Sequence, residues 1–151
     1  MQPSLEFVCE FAVTVSAPQE LGDCGAGTRR IIPIAGGSVT GPALNGRILG
    51  VGADWQTVEP GTIARLDARY AIETDDGALI EVTSQGIRHM PADVAARVQA
   101  GEAVPFSDYY MRTVIWLNSS HPDYTWVNRA MFLASGGKQG QAVKLSIYRV
   151  T

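Results

Sequence analysis

Residues 65–90, RLDARYAIETDDGALIEVTSQGIRHM, decide the fold. Leu66, Ala68, Tyr70 and Ile72 alternate with Arg65, Asp67, Arg69 and Glu73. A period of two with one apolar side is the signature of a half-buried strand. Asp76-Gly77 follows, a pair that supplies the positive φ of a tight hairpin. Residues 78–90 then return as the partner strand. The segment therefore predicts two long antiparallel strands joined by a short turn.

The same period recurs on both sides of this hairpin. In Ser4–Val15, residues Leu5, Phe7, Cys9, Phe11 and Val13 share one face, and Glu6, Glu10 and Thr14 lie on the other. A Gly-rich loop leads to a short strand over Arg30–Ile34 that ends at Ala35-Gly36-Gly37. Gly46–Val58 reads as the next strand, with Gly46, Gly50 and Gly52 on one side. Residues 91–103 form the one credible helix, with Pro91 at its start and Gly101 at its stop. Asp108–Asn118 is rich in aromatic and β-branched residues and reads as a strand. Thr125–Ser135 has two comparably apolar faces, so periodicity allows helix or strand there; strand is favoured, and Ala142–Val150 closes the chain as another. About eight or nine strands joined mostly by tight turns suggest a meandering antiparallel sheet. Curling such a sheet into a barrel removes its edges. The expected fold is mainly β: a single domain over 1–151, an antiparallel barrel of about eight strands with one short helix. A β-sandwich is the competing architecture.

Composition narrows the function classes. The chain has 151 residues, 46% hydrophobic and 18% charged, within the range of ordinary folded domains. With a net charge of −3 and no Lys/Arg run longer than Arg29-Arg30, nucleic-acid binding is not expected. No apolar run approaches the ~20 residues of a membrane-spanning helix. The N-terminus lacks a basic, then apolar, leader, so the expected location is the cytoplasm. Cys9 and Cys24 are then read as free thiols. Those cysteines and the scattered His89 and His121 make no metal-ligand spacing. The glycines contain no dinucleotide fingerprint, and Ser119-Ser120 lacks the setting of a serine nucleophile. Neither a metal nor a cofactor is expected.

Several segments, taken in order, resemble a known family. They are IPIAGGSVTGPALNGRILGVGADWQ, ARYAIETDDGALIEVTSQGIR, YYMRTVIWLNSS, YTWVNRAMFLASGG and VKLSIYRV. Together they resemble domain of unknown function 3237, also called uncharacterised protein family 0311, over nearly the whole chain. The resemblance implies a small antiparallel β-barrel, loosely like lipocalin or allene-oxide-cyclase barrels, and assigns no activity. The chain departs from the family pattern at Val39, where an aromatic is usual, and at GVGADW, where PGGADW is usual.

Arg88 shares a strand face with Ile80, Val82 and Ser84, and Arg112 shares one with Tyr110, Val114 and Trp116. A guanidinium on an apolar face must be paired or hold an anion, because an unpaired buried charge is costly. The functional reading has one or both arginines holding a carboxylate, enol or phenolate. The structural alternative is an ion pair with Asp54, Asp67 or Glu81. Trp55, Tyr70, Tyr109, Tyr110, Trp116 and Trp126, with Asn128, supply surface of the kind that lines small-molecule pockets, or else pack the core. Tyr110, Arg112 and Asp54 are the candidate catalytic groups. Arg112 would stabilise negative charge, and Tyr110 or Asp54 would move a proton. Asp54 has a plainer reading as a strand-end anchor.

Three functions are thus in view. The first is a barrel that binds a small aromatic or enolic molecule and carries out a cofactor-free isomerisation, cyclisation or hydration. The second is a non-catalytic carrier using the same cavity. The third is a structural module, with a homodimer formed through sheet faces.

Overall fold

The computed structural model describes residues 1–151. Nine strands run in chain order: β1 (Leu5–Val15), β2 (Gln19–Asp23), β3 (Thr28–Thr40), β4 (Gly46–Glu59), β5 (Ile63–Thr74), β6 (Leu79–His89), β7 (Tyr110–Asn118), β8 (Phe132–Gln139) and β9 (Ala142–Val150). Each pairs antiparallel with its neighbours in the order β1-β9-β8-β7-β6-β5-β4-β3-β2, and β1 also pairs with β3. That additional pairing closes eight strands into a barrel and leaves β2 as an extra strand along the first half of β3. The helix α1 (Ala92–Gln99) follows β6, with Pro91 at its cap and Gly101 just beyond it. No helix is long and apolar enough to cross a membrane.

The hairpin read first in the sequence is the most regular part of the barrel. β5 and β6 pair without a register shift from Ile63↔His89 to Glu73↔Leu79. In the turn Gly77 has φ 89°, Thr74 Oγ1 donates to Asp76 Oδ1 at 2.5 Å, and Tyr124 Oη donates to the same carboxylate at 2.8 Å. These bonds hold the Asp76 carboxyl below its ordinary value.

Closure depends on β3, which is much longer than Arg30–Ile34. It continues through Gly36 and Gly37 to Thr40, and its far half pairs with β1 from Val15↔Ile34 to Glu10↔Thr40. Gly37 allows this continuation. Its φ is 139°, and a Cβ there would stand 2.0 Å from the Ala12 carbonyl oxygen. The two glycines therefore bend a continuing strand where the sequence suggested a stop.

Two further expectations are corrected. Thr125–Ser135 is not one strand: residues Pro122–Arg129 form a 3-10 helix, and β8 begins only at Phe132. Pro122 has no N–H for a ladder, the His121 ring accepts from the Asp123 N–H, and the Asn128 amide is spent on the Ser119 N–H and C=O, both at 2.8 Å. In β1 the apolar set does not keep one face. A register shift between Phe7 and Cys9 buries Val8 with Cys9 and Phe11, and turns Leu5 and Phe7 outward, where Phe7 packs edge-on against Tyr148.

The interior is filled at one end and hollow at the other. Phe11, Ile72, Ile80, Ile115, Phe132 and Ile147 are fully buried in the filled half. Burying each such side chain stabilises the fold by about 1.5–3 kcal/mol. Cys9 lies among them, its thiol pushed up to about 12 by burial, and both cysteines are free. Gly37→Ala is expected to destabilise the protein by about 2 kcal/mol or more, since it adds both positive-φ strain and a backbone clash. Urea unfolding followed by tryptophan fluorescence measures it, and an unchanged midpoint would contradict the account of closure.

Candidate functional site

The hollow half of the barrel holds a cavity of about 640 Å³. Its mouth is framed by Ser16–Pro18 after β1 and by Gly140 and Gln141 between β8 and β9. Strand parity decides which side chains enter it. Along β5 and β6 the inward sets are Leu66, Ala68 and Tyr70, and Ser84 and Arg88. Register then places Asp54, Ala68 and Ser84 in one cross-strand row, and Ala64, Arg88 and Met111 in another. Between these rows lies Gly86, which contributes no side chain. A Cβ there would meet the Arg112 carbonyl oxygen at 2.0 Å.

Aliphatic side chains make up a large part of the wall, among them Val13, Ile32, Ile34, Leu66, Val143 and Leu145. Set into it are polar groups without protein partners. Tyr70 Oη and Thr113 Oγ1 are buried and accept or donate no hydrogen bond. Buried donors left unpaired cost about 1–3 kcal/mol each, so positions like these are sites where a ligand or water is held. Arg88 belongs to none of the six ion pairs of the molecule. The expected internal partner is therefore not a direct one. Asp54 acts on Arg88 only through its charge, and burial together with the nearby Arg30 pulls the guanidinium below its ordinary value. An arginine remains protonated at neutral pH all the same.

A hydrogen-bonded chain crosses the mouth side of the cavity. Arg30 Nε donates to Gln56 Oε1 at 3.0 Å, and Gln56 Nε2 donates to Asp54 Oδ2 at 2.7 Å. The Asp67 backbone N–H donates to Asp54 Oδ1 at 2.9 Å. Burial raises the Asp54 carboxyl above its ordinary value; the Gln56 and Asp67 bonds and the Arg88 charge offset this only in part. Two guanidiniums, Arg30 and Arg88, face this one carboxylate. The interior thus carries an excess of positive charge, suited to an anion.

Of the residues singled out in the sequence, Asp54, Tyr70 and Arg88 meet in this cavity. Tyr110, Arg112 and Trp55 do not. All three are exposed on the outer face, where Arg112 Nη1 donates to the Met111 carbonyl at 2.8 Å and the guanidinium lies 5.1 Å from the centre of the Tyr110 ring. The reason is the two-sided apolarity of β7. Met111, Thr113, Ile115 and Leu117 take the inward face, and the Tyr110, Arg112, Val114, Trp116 set is left outside. Trp126 packs on Phe132 with ring centres 6.0 Å apart, and Asn128 ties down the 3-10 helix at the edge of a shallow outer groove. The cavity wall therefore has a single aromatic ring, that of Tyr70. Arg30, Gln56, Thr113 and Lys138 are among the polar lining residues that the sequence reading did not single out. Gln56 and Asp54 share one strand parity, and Arg30 pairs with Gln56 across β3 and β4.

The sequence pattern of the family described as "Protein of unknown function (DUF3237)" matches residues 3–150. The chain belongs to this family. It is 38% identical over 152 residues to a UPF0311 protein of Bradyrhizobium diazoefficiens, covering 99% of each. Its fold matches the crystal structure of a beta-barrel like protein from Acinetobacter baumannii with a TM-score of 0.88 and 38% identity, over 100% of this chain and 98% of the other. An enzyme from Penicillium herquei shares the fold with a TM-score of 0.76 over 100% of this chain and 96% of that one, at 22% identity. That likeness extends to the barrel alone.

The raised Asp54 carboxyl makes a prediction about pH. The folded state binds this proton more tightly than the unfolded chain, so its stabilisation is complete below the unfolded value near 3.8 and is lost as pH rises through the folded value. The stability of the wild type relative to Asp54→Asn should therefore be greater at pH 4 than at pH 7. Urea midpoints measured across that range check it, and a flat difference would place Asp54 outside the buried network.

Proposed function

We propose that the protein binds a small organic anion (a carboxylate, enolate or phenolate) inside the barrel and transforms it by a cofactor-free isomerisation, cyclisation or hydration. The observation that carries this reading is Arg88: a guanidinium facing a 640 Å³ cavity, in none of the ion pairs of the molecule. A buried charge with no directly paired counter-ion costs stability unless an anion or water meets it. A planar guanidinium meets the two oxygens of a carboxylate with parallel hydrogen bonds, and two of its N–H groups converge on the single oxygen of an enolate. The hydroxyls of Tyr70 and Thr113 offer further donors, and the aliphatic wall takes the rest of the ligand. The cavity has room for a molecule of metabolite size. Belonging to a family of unknown function leaves the substrate open, and the fold alone assigns no chemistry.

A thermal-shift screen of small carboxylates, enols and phenols, followed by calorimetric titration of the hits, tests the reading. Arg88→Ala should weaken binding at least tenfold, about 1.4 kcal/mol. Arg112→Ala, which alters only the outer face, should leave affinity unchanged. Affinity that depends on Arg112 and not on Arg88 would defeat the proposal. A bound ligand recovered unchanged after long incubation would reduce the protein to a carrier.

A further inference from the structure

Resting on that reading, we infer that the cavity is a carbon-acid site: Asp54 removes a proton from the carbon beside a carbonyl, and Arg88 receives the oxygen of the resulting enolate. The inference rests on how Asp54 is held. Gln56 is 4% exposed, and its amide has one orientation that satisfies both neighbours. Its Oε1 must face the Arg30 Nε–H, because a guanidinium offers donors only. Its NH₂ must then face Asp54 Oδ2. Arg30, acting through Gln56, thus presents a donor to Asp54 and favours its ionised form, and the Asp67 N–H does the same at Oδ1. A carboxylate has four acceptor sites, and these two bonds leave free a lone pair on each oxygen. Partial burial beside the aliphatic wall strengthens the carboxylate as a base. Arg30 and Gln56 are positioning residues in this account; Asp54 and Arg88 touch the substrate.

The step balances without an oxidant, reductant or cofactor. The C–H bond breaks and its proton passes to an Asp54 oxygen. The electron pair it leaves becomes the C=C bond of the enolate. The carbonyl π pair moves to oxygen, where Arg88 meets the charge, with Tyr70 or Thr113 as a second donor. Return of the proton to the same carbon gives exchange, and return to another carbon or to the oxygen gives isomerisation. The substrate class is therefore a ketone, keto acid or β-dicarbonyl compound whose C–H is acidic enough for a carboxylate base. The ionisable groups that face Asp54 or act on it are Arg30 from β3, Asp67 and Tyr70 from β5, and Arg88 from β6, and Lys138 of β8 lines the same cavity.

Phenylpyruvate is a suitable probe, since it carries a carboxylate and a C–H bond beside a ketone. Deuterium incorporation at its CH₂ in D₂O, followed by proton NMR, reads the step directly. The wild type should exceed the buffer rate at least 100-fold at saturating probe. Asp54→Asn should lose about 100-fold of that acceleration while binding the probe within threefold of wild type. Gln56→Leu and Arg30→Met should lose about tenfold and move the acid limb of the pH–rate profile upward, because ionised Asp54 loses its donor in the first variant and the group that orients that donor in the second. Saturable, Arg88-dependent binding without exchange, or exchange that survives Asp54→Asn, would overturn the inference and leave the binding reading standing. If no anion, phenylpyruvate included, bound in an Arg88-dependent way, the binding reading itself would fall.

Discussion

The pairing of β1 with β3 is the constraint on which the rest of the structure depends. Without it the nine strands form an open sheet with β1 at one edge and β2 at the other. With it, eight of them close, and every residue of those strands is assigned to the inside or the outside. Closure demands that β3 bend sharply and pass within contact distance of β1 at Ala12, which is why Gly36 and Gly37 stand where they do. The hydrogen bonds from Val15 N–H to Gln141 and from Ser16 N–H to Pro33 then fix the chain around the mouth.

Closure also explains why polar groups are tolerated inside. One half of the interior is filled by large aliphatic and aromatic side chains and supplies most of the apolar burial. The other half can then hold a carboxylate, two guanidiniums and unpartnered hydroxyls around an open volume. Sites with such local conflicts of burial and charge are where proteins depart from the sequence that would be most stable, and those departures mark function. Tyr70 stands at the boundary of the two halves. Its ring packs edge-on against Phe11 at 6.4 Å, and its hydroxyl faces the cavity, where burial raises its proton affinity.

Where one strand face was clearly more polar than the other, sequence periodicity placed side chains correctly. β5 and β6 show this: the alternation at Leu66, Ala68 and Tyr70, and at Ser84 and Arg88, matches their inward set. Where both faces were apolar, periodicity carried no side. On β7 the aliphatic face went inward and took Thr113 with it, which left Arg112 and Tyr110 outside. Strand breaks were also hard to see. The bulge at Val8 and the 3-10 helix at Pro122–Arg129 follow from cross-strand register and from the Asn128–Ser119 bonds, neither of which is local in the sequence. The network of Arg30, Gln56 and Asp54 lies across two strands whose register is set by bulges, including the shift between Pro33 and Gly37. Family resemblance gave the barrel and was silent on this network.

The proposed anion lies inside the barrel against Arg88, with Arg30 beside it. Arginine Nε–H resonances of ¹⁵N-labelled protein, followed while a carboxylate ligand is added, test this placement most directly. The Arg88 and Arg30 signals should shift saturably with one shared dissociation constant, with no change at Arg112. Saturable shifts at Arg112 with Arg88 and Arg30 unmoved would contradict it.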